Sequence, residues 1–232
     1  AEVVPHGREE RVVPQQAAQH VQAHAAPWIE VHVVEVERRV VRARHDGPRV
    51  ALAHLREVGL LTAVEVVLER VAPVVARVHG IATAAGCQLV AQCDLAVAAE
   101  EASFATSGIH YGLFCATPSV PLVRNVPAKR AMEMLLTGDF IDATTALREG
   151  LLNRVAPLEA LDAEVEKLVQ SILEKPRVAV AMGKALVYRQ RELGLDAAYQ
   201  LAGQTMAVNM MDEAAQEGAR AFAEKRKPGW KC

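Results

Sequence analysis

The spacing of apolar and polar positions changes character near Pro73. Beyond it, residues 74–78 form a short apolar run that predicts a strand, and His79-Gly80 predicts a turn. A helix is expected from Ala85-Gly86 to Cys93. Strands are expected over 95–98 and 103–105, with Glu100-Glu101 turning between them. Pro127 suits the first position of a helix reaching Thr137, where Gly138 stops it. Asp142 can cap the next helix, and Gly150 can end it. Over 158–173, Leu161, Val165, Leu168, Val169 and Ile172 fall on one helical face. Pro176 breaks that helix, and two or three more follow before Lys227-Pro228.

Before Pro73 the pattern is less definite. VEVERRVVRARHDG, residues 34–47, suits a strand by its valines and a helix by its charges. Only residues 51–71 read as helical. Residues 1–72 contain no Lys, Met, Asn, Ser, Phe, Tyr or Cys, and Trp28 is their sole aromatic. Such a narrow alphabet resembles GC-rich DNA read in a wrong frame; the alternative is a divergent N-terminal region.

Composition narrows the class. A chain of 232 residues, 51% hydrophobic and with a net charge of -2, describes a soluble globular protein. The basic footprint of a nucleic-acid binder is missing, and no apolar run approaches the roughly 20 residues of a membrane span. Six of eight histidines (His6, His20, His24, His32, His45 and His54) precede Pro73 without regular spacing, so no metal site is expected. Cys87, Cys93, Cys115 and Cys232 form no CxxC pair and read as reduced thiols of a cytoplasmic protein.

The chemistry concentrates in residues 73–114, a strand, a small-residue loop, a helix start and further strand. Thr83, Ala84, Ala85 and Gly86 leave almost no side chain over the first helical turn. Its free N–H groups can approach a ligand and hold developing negative charge. The same small residues would also serve tight helix–strand packing.

HGIATAAGCQLVAQCDLAVAAEEASFAT closely resembles the signature of the enoyl-CoA hydratase/isomerase (crotonase) family. The likeness continues through LTGDFIDATTALREGLLNRV, residues 136–155, and reaches QEGARAFAEKRKPGW, residues 216–230. It implies an α/β fold, a spiral of ββα turns followed by a C-terminal helical trimerisation region. The corresponding divisions are an atypical region 1–72, a spiral core 73–156 and a helical region 157–232. It also implies an acyl-CoA thioester as partner, no cofactor beyond the coenzyme A of that substrate, and a homotrimer or a dimer of trimers.

Carried over by residue, the resemblance places one backbone donor of an oxyanion hole at Ala85, beside Gly86. The other donor belongs to a motif resembling F-x-A-G-A-D-L, which residues 1–72 lack. The family's two glutamates fall on Gln88 and Gly108. An amide can orient water but cannot exchange its proton, and glycine can do neither. His110, two residues beyond Gly108, would share its face if the chain there were extended. Thr83, Ala84 and Gly112 are expected to line the substrate site, and Phe222 and Lys225 to reach the coenzyme A adenine and phosphate. Cys87 and Cys115 read as pocket liners, Thr106, Ser107 and Thr117 as water-binding groups, and Asp94 as a turn or cap residue. Two functions follow: an enoyl-CoA hydratase-like enzyme of the lyase class, or a non-catalytic acyl-CoA-binding or assembly protein on the same fold.

Overall fold

The computed structural model describes residues 29–35, 39–43 and 72–230. The helix expected over 51–71 and the frame-shift reading of residues 1–72 lie largely outside them. Where the pattern over 34–47 was divided, the described part is strand: β1 (Ile29–Glu35) and β2 (Arg39–Ala43) form an antiparallel hairpin.

Two strand–strand–helix turns form the core. β3 (Val74–Val78), β4 (Ile81–Thr83) and helix α1 (Ala85–Gln92) are followed by β5 (Leu95–Ala99) and β6 (Ser103–Ala105). Later come β7 (Ile141–Asp142) and β8 (Arg154–Ala156). Because each turn repeats the last, equivalent strands stack in parallel: β3 on β5, β5 on β8, and β4 on β6. The larger sheet runs β2-β1-β3-β5-β8, with β1 antiparallel to β3, and the smaller runs β4-β6-β7.

The run VVARV is nearly continuous in apolar residues because both faces of β3 are covered. Val74, Ala76 and Val78 join the main core with Val90, Phe104, Leu122 and Met134. Val75 turns the other way, joining Val97 and Ala99 beneath Leu161, Val165 and Val169. Those three belong to α5 (Leu161–Leu173), whose expected stripe is thereby accounted for. Each such buried valine or leucine contributes about 1.5–3 kcal/mol.

The remaining helices are α2 (Ala116–Asn125), α3 (Ala128–Thr137), α4 (Ala143–Arg148), α6 (Arg177–Gln190), α7 (Leu195–Met210) and α8 (Glu213–Ala223). Pro127 stands one residue outside α3 as its cap rather than as its first residue. Asp142 caps α4, accepting a hydrogen bond from Thr145 N at 2.6 Å. Gly150 supplies the left-handed turn (φ 85°) after α4. No helix was expected over α2, since Pro118 and Pro121 lie within it. Proline removes a donor and strains the preceding turn. Asn125 offsets part of that loss, donating to the Pro121 and Ala91 carbonyls at 2.8 Å each and tying α2 to α1.

Candidate functional site

The parallel pairing of β4 with β6 sets Thr83 opposite Ala105, so both strands deliver their following loops to one place. There the Thr83 and Ser107 hydroxyls share a hydrogen bond of 2.7 Å, although 24 residues separate them. After β4 the chain turns sharply into α1. Ala84 adopts φ 49°, ψ -114°, a conformation suited to glycine, and donates its N–H to the Ala105 carbonyl at 3.0 Å. Ala84, Ala85 and Gly86 are only half-buried, and the first N–H groups of a helix have no acceptor within it. The turn therefore presents backbone donors to an accessible space, at the positive end of α1.

Gln88 lies one turn further along α1. It is buried, 4% exposed, and its Oε1 accepts no hydrogen bond among the described residues. A buried carbonyl oxygen without a donor costs about 1–3 kcal/mol. A group able to donate to it, such as water or a ligand hydroxyl, would recover that loss.

Gly108 is the second residue of a short 3-10 turn, Ser107–Tyr111. A Cβ on Gly108 would meet the Leu113 carbonyl oxygen at 2.6 Å and Cys115 Sγ at 2.8 Å. The Gly108 N–H donates to that same sulfur at 3.3 Å. The position that the resemblance matches to a glutamate is thus closed by backbone and by a thiol.

His110 departs from expectation. Its relation to Gly108 assumed extended chain, but the 3-10 turn rotates it onto another face. The residue is exposed, and its Nε2 lies 2.8 Å from where a Cβ on Gly138 would stand. It packs on the turn after α3 and does not share Gly108's surroundings. Gly112 caps the 3-10 turn at φ 76° and is exposed.

Burial pushes the Cys87 thiol up to about 12, with the nearby Cys115 adding to the effect. A buried thiol held neutral is a weak nucleophile, and Cys87 is packed into the main core. Thr106 is committed elsewhere, donating to the Met134 carbonyl at 2.8 Å. Asp94 is far more than a turn residue: its carboxylate accepts from Val74 N, Lys184 Nζ and Tyr188 Oη at 2.7, 2.8 and 2.7 Å. Phe222 is 87% exposed near the end of α8, and Lys225 follows in a left-handed conformation at φ 54°. Arg226 does not join them as a free cation, because it pairs with Glu217 and Glu224 at 2.5 Å each.

The contact of Cys115 with Gly108 and the Thr83–Ser107 pair were not legible in the sequence. No spacing rule relates residues 7 or 24 positions apart across a sheet corner.

Residues 53–232 match the family model for enoyl-CoA hydratase/isomerase. Mouse enoyl-CoA hydratase domain-containing protein 3, mitochondrial, is 52% identical over 158 residues, covering 68% of this chain and 53% of its own length. The chain therefore spans about half the length of the curated relatives it matches. The crystal structure of an enoyl-CoA hydratase from Mycobacterium smegmatis superposes with TM-score 0.73 and 54% identity, over 80% of this chain and 72% of that one. That of human enoyl-CoA hydratase domain-containing protein 3 gives 0.71 and 46%, over 74% and 68%. These likenesses establish the crotonase fold expected from the sequence. The cytoplasmic location expected from the cysteines is corrected, since the mouse, rat and human relatives are named as mitochondrial. Reduced thiols do not distinguish one reducing compartment from another.

Proposed function

Because the chain belongs to the enoyl-CoA hydratase/isomerase family, we propose that it binds a fatty acyl-CoA thioester with the thioester oxygen at the start of α1, and that it does so without the proton path for hydration. The observation carrying this reading is the pairing of an accessible helix start at Ala85-Gly86 with a closed pocket at Gly108. The Ala85 N–H polarises the thioester and favours its enolate. Gln88 Oε1, buried and without a donor among the described residues, orients a water or a substrate hydroxyl beside it. Neither group moves a proton at neutral pH.

Hydration needs a base to activate water and an acid to protonate the α-carbon. With an amide at 88 and no side chain at 108, both steps lose their usual carrier. The purified protein is expected to hydrate crotonyl-CoA at least 100-fold more slowly than a glutamate-bearing relative, since general acid–base groups contribute about 100- to 10,000-fold. Loss of the enoyl thioester absorbance measures it, and turnover at a relative's rate would refute the reading.

Gly108 also favours the second reading, a non-catalytic acyl-CoA-binding or assembly protein. Saturable binding of butyryl-CoA by calorimetry, with no turnover of the enoyl thioester, supports it. Absence of binding removes both. Assembly through the C-terminal helices, as a homotrimer or a dimer of trimers, is supported by the apolar surface they expose: Leu195, Tyr199, Met206, Met210, Met211 and Phe222. In such an assembly Phe222 and Lys225 would meet the adenine and phosphate of coenzyme A. Sedimentation of the full chain tests it.

A further inference from the structure

At the opposite end of α1 from Ala85, a cleft of about 650 Å³ opens between the ends of α1 and α5, the second half of α2 and the length of α6. Its walls are apolar, formed chiefly by Val120, Pro121, Ile172, Val180 and Val187. Four cations line it, Arg124, Lys175, Lys184 and Arg191, against two carboxylates, Asp94 and Glu192. That excess of positive charge stands in a chain whose total is -2.

The charges are not distributed evenly through the cleft. Lys184 and Asp94 are paired in its depth, at 7% and 15% side-chain exposure. Arg124 and Lys175 stand at the mouth, 46% and 55% exposed, with Arg191 also exposed. Arg191 donates to the Arg124 backbone carbonyl at 3.0 Å, which anchors its guanidinium on the rim, and Arg124 donates to the Val120 carbonyl one turn back at 3.0 Å. Glu192 reaches Arg124 only at 3.9 Å and is itself 71% exposed, so it neutralises little of that rim. An apolar trough under a cationic lip fits a ligand with a hydrocarbon tail and one anionic head. The volume lies within the range of about 300–1,000 Å³ usual for a single small ligand.

We propose that this cleft binds a free long-chain fatty carboxylate, its tail along Val180 and Val187 and its head at Arg124 and Arg191. The site is separate from the start of α1, because an eight-residue helix spans about 12 Å. It therefore does not depend on thioester binding there. A carboxylate is favoured over a neutral lipid because only the anion uses the excess charge of the rim.

The experiment is displacement of a fluorescent fatty carboxylate from the full chain by dodecanoate, below its micelle concentration. One saturable site is expected, with dodecanol at least tenfold weaker. Val187→Trp fills the trough from a half-exposed position and should abolish binding, and Arg191→Glu should weaken it at least tenfold. Unchanged far-ultraviolet dichroism checks that each variant folds. Saturating butyryl-CoA should leave dodecanoate in place. No binding, equal binding of dodecanol, or binding that butyryl-CoA competes away and both variants leave unchanged would each overturn the proposal. Failure of butyryl-CoA to bind at all would count against the thioester reading alone.

Discussion

Lys184 Nζ lies 2.8 Å from Asp94 Oδ2, joining residues 90 positions apart at the junction of α1, β5 and α6. Asp94 turns the chain from α1 into β5 while holding β3 through Val74 N. Lys184 and Tyr188, one turn apart on α6, bring the C-terminal helices to the same carboxylate. Removing one member of a buried pair strands the other's charge, which costs about 3–5 kcal/mol. Asp94→Ala is expected to lower stability by about that amount in chemical denaturation. Asp94→Leu combined with Lys184→Met should cost less than the sum of the single changes.

Ala84 occupies a conformation that glycine adopts without strain. Ala84→Gly should therefore raise stability by about 1 kcal/mol, against the usual effect of introducing glycine. A fall in the thermal midpoint would mean that the turn is relaxed as it stands.

The two positions that the resemblance matches to glutamates, 88 and 108, should respond differently to a glutamate. Gln88→Glu preserves shape and introduces a proton carrier, so a measurable rise in crotonyl-CoA hydration is expected from a folded protein. Gly108→Glu must displace the Leu113 carbonyl and Cys115 Sγ, so a loss of about 1–3 kcal/mol is expected, with no gain in rate. Parallel rate and stability measurements on the two variants separate these outcomes.

Hydrogen bonds from Arg226, and then from the Gly229 N–H, hold the Glu217 carboxyl at about 2, well below its ordinary value of 4.5. Its folded pKa is depressed, so its contribution is complete above the unfolded value and is lost as pH falls from about 4.5 towards 2. Trp230, which donates to the Glu174 carbonyl at 3.1 Å, follows in the same tail. In a Trp28→Phe background, Trp230 emission should shift over that acid range. The Glu217→Gln protein should lack this transition.

Much of the spiral was legible because its elements carry local marks. Val74, Val75 and Val78 form a run buried on both sides, Asp142 is a capping residue, and Gly138 and Gly150 take left-handed turns after helices. Pro118 and Pro121 hid α2, whose stability comes from packing on α1 and from Asn125 rather than from propensity. His110 was misplaced because a 3-10 turn and a strand differ in the direction they give every second side chain. Such a turn is decided by what it must pack against, here Gly138.

The sequence by itself determined the helix start at Ala85-Gly86, the amide at 88 and the missing side chain at 108, because residue identity alone decides which groups can carry a proton. Only the tertiary structure decided that position 108 is closed rather than merely empty, and that Asp94 joins β3, β5 and α6. Both depend on the parallel stacking of successive turns, which brings distant residues to one corner, and no local pattern encodes a distance across that corner.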